Sequence, residues 1–210
     1  YRLKKYTDAS KKFNSFLSTK GAKQSDLYNT AIYNSAYCAF NTKQYRTAVN
    51  LFQKFLSKSS NNVKLTNDSY LRLADCYLIT KDYNDAIQWY DKVINNRSID
   101  ADYALYQKAI CYGSQGDFNK KLSTLKTLTT NYKKSQYYDG ALYDIASTNL
   151  VLNDQRHAIA YFDRLVKEKP KSSYAKKALV KMGFLYYSNN QYEQAVKALR
   201  KVIDSYPASL

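Results

Sequence analysis

Small residues recur along the chain at two fixed points of a repeating apolar pattern. One series, spaced 39, 38, 35, 37 and 37 residues apart, consists of Ala9, Ala48, Ala86, Ala158 and Ala195, with Lys121 in the place of its fourth alanine. The second series lies twelve residues before the first and reads Ala36, Ala74, Ala109, Ala146 and Gly183. Around both series the apolar residues follow i, i+3, i+4, i+7 spacing, which predicts amphipathic helices. The pattern therefore predicts two helices per unit that approach closely at the small residues.

A short turn separates the two predicted helices of a unit. Gly116, Asn153 and Asn190 stand where the first helix stops, and these residue types tolerate left-handed backbone. In three of the units the next residue is an aspartate that is predicted to cap the second helix, namely Asp82, Asp117 or Asp154. The chain is thus predicted to be a stack of antiparallel helix hairpins.

These positions resemble the tetratricopeptide repeat (TPR) family over essentially the whole chain. The last unit supplies Leu179, Met182, Gly183, Tyr186, Ala195, Leu199, Val202 and Pro207, and the second supplies Tyr70, Leu73, Ala74, Tyr77, Ala86, Tyr90 and Val93. Two departures are visible: Pro occurs only at Pro170 and Pro207, and Lys121 replaces the second-helix Ala of the third unit. The resemblance implies an all-α fold, namely an α-α superhelix (right-handed solenoid) of stacked antiparallel helix hairpins.

The phase of the repeat predicts a single array over residues 1–210. Residues 1–25 are predicted to hold the second helix of a truncated repeat, followed by full repeats at 26–66, 67–100, 101–136, 137–172 and 173–210. No Gly/Ser-rich linker interrupts the pattern. Because Tyr1 is not an initiator Met and Tyr206-Pro207 resembles the connection into a further unit, we expect a piece of a longer protein with neighbouring repeats.

The net charge of +16 is unevenly distributed. Residues 1–66 carry 12 basic and 2 acidic side chains, residues 67–131 carry 8 of each, and residues 132–210 carry 13 and 7. A basic surface can contact nucleic acid, anionic lipid or an acidic protein. We favour a solvated outer face, because the lysines fall largely on predicted second helices and loops.

Cysteine and histidine usage gives little support to catalysis or metal binding. Cys38, Cys76 and Cys111 occupy the same slot of three consecutive units, which favours small buried core residues. The sequence has no CxxC motif, and His157 is its only histidine. We therefore predict a non-enzymatic chain with no cofactor and no metal.

The TPR resemblance implies a groove lined by the first helices of the repeats. The positions that would line this groove lie three residues before, one after and four after the small residue of each first helix. Polar positions next to them are included. The candidate partner-binding residues are Tyr33, Asn34, Tyr37, Arg72, Asp75, Tyr106, Gln107, Tyr143, Asp144, Lys181 and Phe184. Tyrosine suits such a surface because it buries a large area at little entropy cost. The alternative is that some of these side chains close the gap between neighbouring hairpins.

Two functions remain open at this point. The first is a protein-protein interaction scaffold that binds a partner segment in the Tyr-rich groove; the second is an RNA-binding helical repeat resembling the pentatricopeptide family. The irregular period and the lack of one polar residue type at a fixed slot favour the scaffold. The peptide-carboxylate clamp of one TPR subgroup is missing, because Tyr33 and Tyr37 fill two of its slots.

The endings of the last two units suggest a biological setting. Glu168 to Ser172 and the Tyr206, Pro207, Ser209 ending are similar to TPR modules of bacterial envelope proteins that act in outer-membrane assembly and division. This resemblance favours a bacterial origin, and the periplasm or outer membrane over the cytoplasm.

Overall fold

The computed structural model describes residues 5–58, 62–96 and 99–205. Within these ranges the regular structure consists of eleven α-helices and one short 3₁₀-helix (Ala22–Gln24), with no strand. The α-helices are α1 (Tyr6–Ser18), α2 (Leu27–Asn41), α3 (Tyr45–Leu56), α4 (Val63–Ile79), α5 (Tyr83–Asn95), α6 (Ala101–Ser114), α7 (Phe118–Asn131), α8 (Tyr138–Val151), α9 (Gln155–Glu168), α10 (Ser173–Ser188) and α11 (Tyr192–Ser205). The predicted ending at Tyr206, Pro207 and Ser209 lies outside the described residues.

Consecutive helices pack against one another as hairpins. The most extensive contacts join the two helices of a hairpin, namely α2 to α3, α4 to α5, α8 to α9 and α10 to α11. The first helix of a hairpin also packs on the second helix of the hairpin before it, as α4 does on α3, α6 on α5 and α10 on α9. This confirms the predicted all-α fold of stacked hairpins.

The chain divides into two compact units. Unit 1 comprises residues 1–115 and contains α1 to α6, and unit 2 comprises residues 116–210 and contains α7 to α11. The division falls inside the predicted repeat 101–136. The single-array organisation therefore stays a prediction.

The small residues lie where the helices of a hairpin approach most closely. Ala36, Ala48, Ala74 and Ala86 in unit 1 are fully buried, as are Ala146 and Ala158 in unit 2, whereas Lys121 is only half-buried. In the last hairpin, a Cβ atom added to Gly183 would lie 2.7 Å from Leu199 Cγ. The spacing of small residues in the sequence thus marks the contacts between paired helices.

The turns between paired helices share one left-handed backbone position. It is occupied by Lys43, Lys81, Asn153 and Asn190, with φ between 59° and 67°, and by Gly116 with φ of 77°. Asp117 and Asp154 cap the second helices as predicted, each accepting a bond of 3.1 Å from a backbone N–H. Asp82 does not; its carboxylate accepts a bond of 2.6 Å from Thr80 Oγ1. Thr80, two residues earlier, competes with the helix N–H groups for the carboxylate of Asp82.

The three cysteines are buried in unit 1, as the sequence predicted. Cys38, Cys76 and Cys111 are each inaccessible to solvent. Burial raises the pKa of all three thiols, to about 12 for Cys76 and Cys111. The reactive thiolate is therefore scarce at neutral pH.

We expect the native protein to react slowly with a thiol reagent at pH 8, and all three cysteines to react fast in denaturant. Mass spectrometry of the labelled peptides resolves the three sites. Rapid labelling of one cysteine in the native protein would contradict the assignment of that residue to the core.

Candidate functional site

The predicted groove residues lie on the first helices of the hairpins. Unit 1 contributes α2, α4 and α6, and unit 2 contributes α8 and α10. The exposed side of these helices contains a row of polar side chains two positions before the small residue: Asn34, Arg72 and Gln107 in unit 1, Asp144 and Lys181 in unit 2. These five are half-buried, apart from Lys181, which is exposed.

Two of the predicted groove tyrosines face the neighbouring hairpin instead. Tyr33 is 8% exposed, and its hydroxyl donates a hydrogen bond of 2.7 Å to Asp68 Oδ2 on the next first helix. The ring of Tyr143 lies 5.5 Å from that of Tyr174, also on the next first helix. Tyr33 and Tyr143 therefore close the gap between hairpins, which was the alternative interpretation of the sequence.

Asp75 is also buried, with 5% of its surface exposed. Its Oδ1 accepts hydrogen bonds from Tyr90 of α5 (2.8 Å) and from Tyr103 of α6 (3.0 Å). Its Oδ2 accepts a bond of 2.7 Å from Arg72 Nη1. Burial raises the pKa of Asp75, whereas Arg72 and the hydrogen bonds from the two tyrosines lower it. Burial has the larger effect, so the pKa lies above its usual value. Asp75 thus joins two hairpins of unit 1 and is not available to a partner.

Arg72 is held in one orientation by groups around it. Its Nε lies 3.5 Å from Asp68 Oδ1, and its guanidinium carbon lies 5.5 Å from the ring centre of Phe40. Burial opposes the charged form, but Asp68 and Asp75 outweigh it and raise the pKa of Arg72. Because two carboxylates already surround this guanidinium, it is not a free receptor for a carboxylate ligand.

The remaining candidates keep some exposure. In unit 1, Tyr37 and Tyr106 are half-buried on α2 and α6. In unit 2, Phe184 is 63% exposed on α10. The structure therefore places Asn34, Tyr37, Arg72, Tyr106 and Gln107 on the first helices of unit 1 with surface available to a partner.

Three residues of this site were missed by the sequence analysis. Asp68, Tyr90 and Tyr103 support Arg72 and Asp75, and they come from three different helices. One signal was visible: Asp75 interrupts an otherwise apolar stretch between Ala74 and Cys76. In the part of the chain that the structure describes, no three His, Cys, Asp or Glu side chains are grouped to hold a metal ion.

Comparison with family models identifies one repeat directly. The model described as tetratricopeptide repeat matches residues 177–209, which include most of α10 and all of α11. A second model, described as anaphase-promoting complex, cyclosome, subunit 3, matches residues 41–128. The resemblance to TPR proteins is confirmed.

Solved TPR structures share the fold at low sequence identity. A crystal structure of MamA is 17% identical with a TM-score of 0.66, and the match covers 82% of this chain and 95% of that chain. BtubC (BKLC) from P. vanneervenii is 12% identical with a TM-score of 0.68, covering 97% and 90%. TPR-like repeats of a putative kinesin light chain from Podosopora anserina are 13% identical with a TM-score of 0.60, covering 84% and 93%.

These structures share the stacked-hairpin fold with this chain. The tetratricopeptide repeat, whose family model matches residues 177–209, generally mediates protein-protein interactions and is generally non-catalytic. No curated protein gives a significant sequence match. Among the described residues, no helix is both long and apolar enough to cross a membrane.

Proposed function

We propose that this chain is a non-catalytic scaffold that binds a segment of a partner protein across the first helices of unit 1. The contacting side chains are Asn34, Tyr37, Arg72, Tyr106 and Gln107. Rigid helices support all five, which lowers the entropy cost of binding. Tyr33 and Asp75 act beneath them, as parts of the wall between hairpins.

The observation that carries this proposal is the fixed orientation of Arg72. The half-buried guanidinium of Arg72 donates a hydrogen bond of 2.7 Å to Asp75 and lies over the ring of Phe40. Its exposed part therefore has one fixed orientation. Arginine and tyrosine are the residue types that most often dominate binding energy at protein interfaces. Arg72 of α4, together with Tyr37 of α2 and Tyr106 of α6 on the neighbouring first helices, is therefore the anchor region that we propose.

The charges around Arg72 restrict the chemistry of the partner segment. Asp68 and Asp75 outnumber the single guanidinium, so the anchor region favours a segment that offers hydrogen-bond donors or a cation. A terminal carboxylate would face net negative charge there. The structure thus supports a partner segment with amide, lysine or arginine donors at its centre.

Unit 2 offers a second contact surface on its own first helices. Asp144 and Lys181 supply polar contacts, and the exposed ring of Phe184 supplies an apolar one. Tyr143 supports this surface by packing at 5.5 Å from both Phe162 and Tyr174.

The setting that we propose is a bacterial cell-envelope assembly, in the periplasm or at the outer membrane, in which neighbouring repeats of a parent protein extend the array. The support is the sequence of the unit endings, Glu168 to Ser172 in particular. RNA binding through the basic surface is the competing outcome that the experiment below separates.

Truncating both Tyr37 and Tyr106 to Ala is expected to weaken partner binding by more than about 2 kcal/mol, because a few anchor residues, often aromatic, usually carry most of an interface's binding energy. The partner is first captured from a bacterial lysate with the native chain and is then titrated by calorimetry against native and variant proteins. The double replacement of the exposed Lys133 and Lys134 by Ala is the matched control and should change binding little.

Salt dependence separates protein from nucleic acid as the ligand. Binding to RNA would fall steeply between low and physiological salt, since each neutralised phosphate releases a counterion. Full binding by the Tyr37→Ala/Tyr106→Ala variant, with strong salt dependence and a native circular dichroism spectrum, would refute the scaffold proposal.

A further inference from the structure

The hairpin of α2 and α3 in unit 1 corresponds closely to the hairpin of α8 and α9 in unit 2. The backbone N–H of Tyr28 donates to the carbonyl of Ser25 (2.9 Å), and that of Tyr138 donates to the carbonyl of Ser135 (3.2 Å). Side chains at equivalent positions of two such hairpins can therefore be compared directly. At one constant offset the two hairpins share Tyr28/Tyr138, Ala31/Ala141, Tyr33/Tyr143, Ala36/Ala146, Ala48/Ala158 and Phe52/Phe162.

In unit 2 this hairpin holds a carboxylate beside a buried tyrosine. The hydroxyl of Tyr138 donates to Glu168 Oε2 and accepts a bond of 2.7 Å from Arg164 Nη2. Arg164 Nε donates a bond of 2.9 Å to Glu168 Oε1, and Lys169 Nζ lies 5.2 Å from the ring centre of Tyr138. The hydrogen bond from Tyr138 and the charges of Arg164 and Lys133 lower the pKa of Glu168. These groups thus stabilise a carboxylate anion at the protein surface.

In unit 1 the same place has the cations without the carboxylate. Lys54 takes the position of Arg164, and Lys58 takes that of Glu168. Their Nζ atoms lie 5.9 and 5.5 Å from the ring centre of Tyr28. Neither lysine forms an ion pair with a residue that the structure describes, and the Tyr28 hydroxyl forms no hydrogen bond with one. That hydroxyl is not among the enclosed polar atoms that lack a partner, so it meets solvent.

The surroundings of Tyr28 add further positive charge. Lys20 and Lys23 are exposed on the turn before α2, and Lys23 is at the position equivalent to Lys133. Asp26 is the only acidic residue between positions 20 and 58 of the sequence. This end of the hairpin therefore favours an anionic group over a cationic one.

We propose that Tyr28, Lys54 and Lys58, which we call the Tyr28 site, bind the carboxylate of a glutamate or aspartate side chain from an acidic segment of a partner protein. The Tyr28 hydroxyl would donate to one carboxylate oxygen and the two ammonium groups would neutralise the charge. A protein carboxylate is favoured over other anions because Glu168 is the group that fills the equivalent place in unit 2. The Tyr28 site does not depend on the proposed groove, since it contains none of the anchor residues.

The test uses two fluorescein-labelled octapeptides as probes. One contains four consecutive glutamates and the other contains glutamines at the same positions. Binding to the whole chain is followed by fluorescence anisotropy at physiological salt. We expect the glutamate peptide to bind at least about fivefold more tightly than the glutamine peptide, because only the former offers a charge to the lysines. Lys54→Ala should weaken its binding about fivefold, and Tyr28→Phe, which removes only the hydroxyl, about threefold.

Reciprocal variants locate the binding site. Lys58→Glu supplies the carboxylate from the chain itself, so it should weaken peptide binding at least about tenfold without lowering the urea midpoint of unfolding. Arg46→Glu is the matched control: it makes the same change of charge at the other end of α3 and should alter the affinity less than about twofold. Glu168→Lys should open the equivalent place in unit 2 and raise the stoichiometry from one peptide to two.

Several results would overturn the inference. Equal binding of the two peptides, or equal losses for Lys58→Glu and Arg46→Glu, would each do so. Tighter Lys58-dependent binding of a phosphoserine peptide would make phosphate the ligand. Lys58-dependent binding of phosphatidylglycerol vesicles or single-stranded RNA, without binding of the glutamate peptide, would make the occupant a membrane or a nucleic acid. Tyr37→Ala/Tyr106→Ala should leave binding of the glutamate peptide unchanged, so that failure of the groove proposal and failure of this one can be told apart.

Discussion

Replacing Arg72 by Met is expected to lower the free energy of unfolding by about 3–5 kcal/mol at neutral pH, because it leaves the buried carboxylate of Asp75 without its cation. Tyr90 and Tyr103 still donate to Asp75, but two neutral hydrogen bonds do not replace an ion pair at 2.7 Å. Urea unfolding followed by circular dichroism measures the loss. Hydrogen exchange should show it in α4 to α6.

The control is Asp75→Asn, alone and together with Arg72→Met. Asparagine removes the charge but keeps an acceptor for the tyrosines, so the double variant should be more stable than Arg72→Met alone. If Arg72→Met is as stable as the native protein at pH 7, the ion pair contributes nothing and our account of the anchor region is wrong.

The pH dependence has a definite sign. The folded state raises the pKa of Asp75, so its contribution to stability is fully present below the usual carboxyl pKa and is lost as pH rises through the folded value. Without Arg72 the pKa rises further, and the deficit of Arg72→Met should therefore shrink on acidification. Asp75→Asn should remove this component of the pH profile.

Replacing Phe162 by Ala is expected to cost about 3–5 kcal/mol in unit 2, the range for a large aromatic side chain deleted from a core. Phe162 is fully buried, and its ring lies 5.5 Å from that of Tyr143. It belongs to the cluster that also contains Leu165 of α9 and Leu179 of α10, so truncation would leave a cavity where three helices meet. The chemical denaturation midpoint should fall accordingly, with lost exchange protection centred on α8 to α10.

Phe184→Ala is the matched control for Phe162→Ala. Both residues are phenylalanines of unit 2, but Phe184 is 63% exposed, and its replacement should change stability by no more than about 0.5 kcal/mol. Equal losses for the two variants would contradict the burial that distinguishes them.

Sequence reasoning was most successful where one residue type decides a contact. The buried alanines of the first series, such as Ala48 and Ala158, mark helix approaches because only a small side chain fits there. The pattern gave less information about which side of a helix a given side chain lies on. Tyr33 and Asp75 were predicted to line the groove, yet their side chains bond to the next hairpin.

Contacts that join several helices could not be derived from the sequence. Asp75 is stabilised by Arg72 on its own helix, by Tyr90 on the next and by Tyr103 on the one after, and no local spacing encodes that convergence. The left-handed turns at Lys43 and Lys81 were missed for a related reason. Tertiary packing imposes that backbone even on lysine, which does not favour it.

The hydrogen bonds of Asp75 also bear on how this protein can change in evolution. Repeat arrays commonly gain or lose whole units, because each unit satisfies its neighbours in the same way. The hairpin of α4 and α5 is different, since two of its aspartates accept hydrogen bonds from neighbouring elements. Asp68 accepts one from Tyr33 of the hairpin before it, and Asp75 accepts one from Tyr103 of the helix after it. Deletion of this hairpin would remove the acceptors of both hydroxyls, and duplication would leave a second buried aspartate to be matched. Unit 1 is therefore expected to change by point substitution at its surface and to keep its number of hairpins.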